Sequence, residues 1–261
     1  MAFRFCPLRS GSSGNVSFVQ AGETCLLVDA GLSARAIEQL LAAMGVSAAC
    51  LDGILITHEH SDHIKGVGLL SRKYGLPVYA NEATWNAMQD KPGIDGIECC
   101  NQRIFCTGAD FYVRDLGVQS FSIPHDAADP VGYSLYYGGK KLSIATDLGH
   151  IQKQWVEEVA DADLVLLESN HDPDMLQACR YPAWLKKRIL GRRGHLSNAD
   201  CASVLATLEG RGLRNCVLGH LSQEANQPQL ALETVRSALH PDGLHADLAW
   251  RDRTGSVYAL L

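Results

Sequence analysis

Residues 57–63 read Thr-His-Glu-His-Ser-Asp-His, three imidazoles and two carboxylates in seven consecutive positions. A lone histidine or aspartate in a polar turn is ordinarily solvated surface. Four of these side chains, His58, His60, Asp62 and His63, are donors that suit a borderline divalent ion. They can face one point if the chain leaves a buried strand, turns once and enters a helix. The flanks have that pattern. Gly53-Ile54-Leu55-Ile56-Thr57 is a short, β-branched, apolar run of the kind expected in a buried strand, and residues 64–74 repeat apolar positions at helical spacing. The motif therefore falls at the carboxyl end of a strand, where α/β sheets place their ligands.

Working outward, residues 25–28 form a second apolar strand, followed by the turn Asp29-Ala30-Gly31. A helix over residues 33–44 comes next, capped by Ser33 and stopped by Gly45. Short strands are predicted at 110–113, 118–123, 131–137 and 141–145, a meander separated by Gly or Pro turns. The second half mixes strands at 164–167, 215–218 and near 247 and 256 with helices at 151–159, 198–209 and 229–239. Two sheets packed face to face with helices outside accommodate this order, an α/β (α+β) fold in one domain over residues 1–261.

The chain has 261 residues, 46% of them hydrophobic, enough to bury a full core. No segment approaches the ~20 apolar residues of a membrane span, and the start lacks the apolar run of a secretory signal. A cytoplasmic protein with no membrane partner is expected. Nine cysteines without a C-x-x-C pair read as reduced thiols. The net charge of -6 argues against a general nucleic-acid binder. One patch runs the other way. Lys186, Lys187, Arg188, Arg192 and Arg193 place five cations within eight residues, either a solvated helix face or a grip on a polyanion.

Two metals need more donors than one motif offers. His125, Asp147 and His220 each follow a predicted strand, at 118–123, 141–145 and 215–218. With Thr57-His63 they make a coherent set, and at this point the chain resembles the metallo-β-lactamase fold superfamily, in which an H-x-H-x-D-H motif, a downstream His, an Asp and a final His bind two metals. The resemblance runs from about Phe5 to the C-terminus and implies a four-layer αββα sandwich. It implies one ion on His58, His60 and His125, another on Asp62, His63 and His220, and Asp147 bridging. Asp29 would orient the metal loop. Aspartate rather than cysteine at the bridge, and His60 where flavin-linked diiron relatives have Glu, are similar to the phosphodiesterase and hydrolase branches.

The segments SGSSGN (residues 10–15), LLESNHD (166–172), GHLSN (194–198) and HLSQEANQP (220–228) resemble the YycJ/WalJ-like group within that superfamily. That resemblance implies His195 as the proton donor to the leaving oxygen, Glu168 as its orienting carboxylate and Asp62 as both ligand and catalytic residue. It also places Ser10, Ser12, Ser13, Asn15 and His171 at the substrate, beside the five cations. The Gly/Ser loop can present amides and hydroxyls to a phosphate, although without the lysine of a nucleotide-hydrolysing loop. The implied cofactors are two divalent ions, zinc or manganese, with iron as a further option. The implied substrate is DNA, degraded from the 5′ end. The rival readings are a small ester, thioester or cyclic phosphodiester hydrolase on the same fold, and a non-catalytic metal-bound nucleic-acid-binding module.

Overall fold

The computed structural model of the protein describes residues 2–241 and 243–260. Phe3–Arg9 (β1), Val16–Ala21 (β2) and Thr24–Val28 (β3) open it as an antiparallel ribbon. Ala34–Ala43 (α1), Gly53–Leu55 (β4), Ser61–Ile64 (α2), Val67–Tyr74 (α3), Val78–Asn81 (β5), Glu82–Met88 (α4) and Gln102–Phe105 (β6) follow, with β3 to β6 parallel. Asp110–Val113 (β7), Leu116–Ser122 (β8), Val131–Tyr137 (β9) and Lys140–Ala145 (β10) make the expected meander. Lys153–Val159 (α5), Leu164–Glu168 (β11), Pro173–Ala178 (α6), Ala183–Ile189 (α7), Asn198–Glu209 (α8), Asn215–Gly219 (β12), Pro228–Ser237 (α9) and His245–Leu248 (β13) complete the second half, β10 to β13 being parallel. Tyr258–Leu260 (β14) returns to pair with β1.

The two seven-stranded sheets run β14-β1-β2-β3-β4-β5-β6 and β13-β12-β11-β10-β9-β8-β7. Strand alternation divides the core. In β11, Leu164 and Leu166 pack between the sheets, while Val165 and Leu167 pack under α5, α8 and α9. In β3, Leu26 and Val28 face the other sheet, and Cys25 and Leu27 face α1 and α3. Burial on both faces is why these strands read as unbroken apolar runs. The result is the four-layer αββα arrangement. Among the described residues no helix is long and apolar enough to cross a membrane.

One expected helix is broken. Residues 64–74 divide into α2 and α3 because Ala30 N takes the carbonyl of His63 at 2.7 Å and Gly66 N donates to Ala30 O at 2.8 Å. The diverted bonds leave the helical ladder at the point where the 30–32 loop crosses it. The final strand lies at 258–260 rather than near 256, and residues 78–105 and 173–189 hold strands and helices that the sequence pattern leaves unassigned.

Candidate metal centre

Every candidate ligand follows a strand at the same edge of the sandwich: β4 leads to His58, β8 to His125, β10 to Asp147 and β12 to His220. Asp29, Asp147 and His220 hold left-handed backbone, with φ of 61°, 61° and 56°. Asp and His tolerate that region better than most residues, and such strain gathers where surrounding structure imposes it. The motif loop is pinned across the sheets by Val131 N to Thr57 O at 3.0 Å and by the buried Tyr133 hydroxyl donating to Ile56 O at 2.5 Å.

Three ring nitrogens converge on one side. His58 Nε2 and His125 Nε2 lie 3.1 and 3.3 Å from His60 Nδ1. Metal–nitrogen bonds of about 2.0–2.1 Å in a tetrahedron put ligand nitrogens about 3.3 Å apart. The remaining nitrogens fix the tautomers: His125 Nδ1 donates to Gly194 O at 3.3 Å, and His58 Nδ1 lies 3.0 Å from Thr57 Oγ1. Thr57 Oγ1 in turn donates to Asp29, at 2.9 Å from Oδ2. Burial pushes His58 and His125 below their ordinary values, so these rings are neutral and aim bare lone pairs at the common point.

On the other side His63 donates its Nδ1 proton to Asp29 Oδ2 at 2.7 Å. With Nδ1 so engaged, Nε2 is the nitrogen that faces Asp147 Oδ2 at 3.4 Å and Asp62 Oδ2 at 3.6 Å. His220 Nε2 lies 3.9 Å from Asp62 Oδ2. Asp147 sits between the sets, with Oδ1 3.7 Å from His125 Nε2. Asp147 Oδ2 and His220 Nε2 are buried and have no hydrogen-bond partner among the described residues. A buried acidic oxygen and a buried imidazole nitrogen, both without a partner, are what a cation satisfies. Burial alone would depress His63, but Asp29, Asp147 and Asp62 push it up to about 9. Asp147, Asp62 and Glu168 likewise override burial to raise His220. Both shifts report negative charge that bound cations would neutralise. The donor set fits two divalent ions, with His58, His60 and His125 able to hold one, Asp62, His63 and His220 the other, and Asp147 able to reach both.

Glu168 closes the site from beneath. It is fully buried, and its Oε1 accepts from His195 Nδ1 and His220 Nδ1, both at 2.8 Å. Its Oε2 accepts from Leu148 N at 2.7 Å and Leu196 N at 3.1 Å. Burial would raise this carboxyl, but His195 and His220 hold it well below the usual range. Both rings thereby carry their proton on Nδ1 and present Nε2. His195 and His220 line a cavity of about 190 Å³ with Ser12, Tyr181, Arg188 and Ser222.

The other expected site residues divide by depth. Ser12 and Ser13 are exposed and border a second cavity of about 340 Å³ that also reaches Asp62. Ser10, Asn15 and His171, expected at the substrate, are buried, and none of the three lines the cavity beside His195. Ser10 Oγ accepts the amide of His220 at 2.8 Å. Asn15 Nδ2 lies 3.0 Å from His63 Nε2 and 3.4 Å from Asp62 Oδ2. His171 turns inward, its carbonyl accepting Asn198 N at 2.8 Å. Of the five cations, Lys186 donates to Gln177 O at 2.5 Å, Arg188 pairs with Asp126 at 2.6 Å, and Arg192 lies 3.0 Å from His150. Lys187 and Arg193 are exposed.

A family model described as "Beta-lactamase superfamily domain" matches residues 24–221. The chain is 42% identical over 243 residues to a Bacillus anthracis protein named exodeoxyribonuclease YycJ, covering 93% of this chain and 91% of that one. The chain belongs to the metallo-β-lactamase fold superfamily. Within it the chain groups with YycJ and with WalJ of Streptococcus pneumoniae, also named an exodeoxyribonuclease, at 41% identity over 92% of this chain and 89% of the relative. Among solved structures, the metallo-β-lactamase fold protein YhfI from Bacillus subtilis superposes with a TM-score of 0.74 over 99% of this chain and all of its own, at 17% identity.

Several supports of this metallo-β-lactamase-type centre escape a reading of ligand spacing. Thr57 ties Asp29 to both His58 and His63. Glu59, inside the motif, accepts Ala128 N at 2.9 Å and so fastens the loop after His125. Ser169, Asn198 and Asn226 form a buried amide lattice under Glu168 and His220, in which the two asparagine side chains bond reciprocally at 2.9 and 3.0 Å. The quoted segments LLESNHD, GHLSN and HLSQEANQP carried that signal, since each contributes one of the three polar residues.

Proposed function

We propose that the chain is a metal-dependent exodeoxyribonuclease, a hydrolase of DNA phosphodiesters. One observation carries the reading: two sets of bare donors share Asp147, and beside them stands His195 with its Nδ1 proton fixed by a buried glutamate. The names of the relatives YycJ and WalJ support DNA as the substrate. When bound, two divalent ions supply Lewis acidity toward the phosphoryl oxygens and lower the pKa of water. The chain's own groups do the rest. Asp29 and Thr57 hold His63 and His58 in the tautomers that face the centre. Glu168 holds His220 in the same way and locks the ring of His195, which leaves Nε2 at the cavity; once Nε2 has taken up a proton from water there, the imidazolium can pass that proton to the departing oxygen and return to the Nδ1–H form.

The test combines metal analysis with digestion of end-labelled single-stranded and duplex DNA and of a small chromogenic phosphodiester. The expected result is two ions per chain, mononucleotide release from labelled DNA, and loss of release with chelator. His195→Ala should lower kcat by roughly 100- to 10,000-fold with metal content intact. Release starting at the 5′-labelled end is expected from the resemblance. Turnover of small esters without DNA digestion overturns the reading in favour of a small-molecule hydrolase. DNA binding without turnover overturns it in favour of a binding module.

A further inference from the structure

Helix α7 stands against the centre, with Leu185, Arg188 and Ile189 lining the cavity that holds His195 and His220. Trp184 lies one turn before Arg188 on the same helix, and side chains four residues apart are surface neighbours. It is 68% exposed. A single bare aromatic on a surface is ordinary. Here its surroundings decide. Lys187 and Arg193 are exposed and make no hydrogen bond or ion pair among the described residues. The chain carries a net charge of -6, yet five of its 23 Lys and Arg lie in residues 186–193. An exposed indole with the free Lys187 three residues on along the helix, and the free Arg193 in the turn that follows it, in an otherwise acidic protein, matches a polyanion that also offers flat π-faces.

Unpaired nucleotides have that chemistry. Their bases are free to stack on an aromatic side chain while the backbone follows positive charge. In a duplex the base faces are already stacked, so the indole would meet mainly sugar and phosphate. We infer that Trp184 is a stacking platform that draws an unpaired DNA end to the metal centre, with Lys187 and Arg193 holding backbone phosphates. The group engaged is then an unpaired nucleotide, whether at a single-stranded end or at the frayed terminus of a duplex. This rests on the exodeoxyribonuclease reading above.

Two measurements on the metal-loaded protein test it. The first compares kcat/KM on a single-stranded oligothymidylate with that on the small chromogenic phosphodiester. In Trp184→Ala the ratio should fall roughly 5- to 100-fold, through KM on the oligonucleotide, and Trp184→Phe should keep most of it. The second follows binding of a hydrolysis-resistant phosphorothioate oligothymidylate by anisotropy. Trp184→Ala should weaken it by a similar factor, and Lys187→Ala with Arg193→Ala should flatten its salt dependence. An unchanged ratio overturns the proposal, whether both activities survive or both fall together. So does rescue by Trp184→Leu as complete as rescue by phenylalanine, which would mark bulk rather than stacking. If the parent protein digests no DNA, the nuclease reading fails, while the phosphorothioate measurement still decides whether Trp184 is a platform.

Discussion

The two halves build their shares of the centre in opposite ways. The first half supplies His58, His60, Asp62 and His63 from one turn between β4 and α2, braced by Asp29 and Thr57. The second supplies His125, Asp147, Glu168, His195 and His220 from a strand end and from loops spread across residues 125–220. What levels them is parallel register: Ala145 pairs with Leu167, and Glu168 with Gly219, so Asp147, Glu168 and His220 emerge side by side. A local site depends on one turn. A distributed site depends on a sheet and on whatever ties its strand ends together, and here that tie is Glu168.

The sharpest test of this contrast substitutes the bracing carboxylate of each half. Glu168→Gln replaces one of two accepting oxygens by a donor and sets it against either two imidazole N–H groups or two backbone amides. Both a ligand and the proton-transfer ring lose their anchor, so kcat should fall about 1,000-fold or more, with no recovery in excess metal. Asp29→Asn disturbs only the motif side. Metal affinity should drop roughly 10- to 100-fold, and saturating metal should restore most of the turnover. Metal titrations of activity on both variants check this. Equal rescue would mean that the halves are braced alike.

The same contrast explains what was legible in the sequence. His58, His60, Asp62 and His63 announce themselves because their spacing is their geometry. His125, Asp147 and His220 are visible as polar residues closing apolar runs, since a strand's end is a local feature even when its neighbours are not. The supports are different. Ser10 reaches the amide of His220 across 210 positions, and Asn15 meets His63 across 48. No spacing rule predicts such pairings, so the two ends of a loop whose tip, Ser12 and Ser13, is exposed prove to be buried bracing. Burial also decided α2 and α3, where contacts from the 30–32 loop override helical periodicity.

A smaller effect should come from the amide lattice that joins the second-half loops. Asn226 Nδ2 donates to Ser169 O, Asn170 O and Asn198 Oδ1 at 2.9, 3.0 and 2.9 Å, all in buried surroundings. Asn226→Ala takes a donor from Ser169 O and the acceptor from Asn198 Nδ2, while Asn170 O keeps Ser222 N and Asn198 Oδ1 keeps Ser169 Oγ, and should cost about 2–3 kcal/mol of stability. Because Asn198 shares the bonds, the Asn198→Ala, Asn226→Ala double variant should lose less than the sum of the single losses. Urea unfolding of the set measures both. Additive losses would show that the lattice is not one unit.

The smallest effect belongs to the seam where the halves meet again. Asp247 on β13, in the second sheet, accepts the Tyr258 hydroxyl of β14, in the first sheet, at 2.6 Å, and Leu248 N at 2.7 Å. Partial burial opposes ionisation, but the Tyr258 hydroxyl, the Leu248 amide and Ser256 hold the Asp247 carboxyl below its ordinary value. A depressed folded value means the contribution is present above the unfolded pKa of about 3.9 and is lost as pH falls through the folded one. Asp247→Asn should therefore cost about 1 kcal/mol at neutral pH, and the gap to the parent should narrow as pH drops below about 4. Paired urea midpoints across that range read the sign directly. A gap that widened in acid would mean that the ionised carboxylate strains the seam and that β14 is held by its backbone pairing with β1 alone.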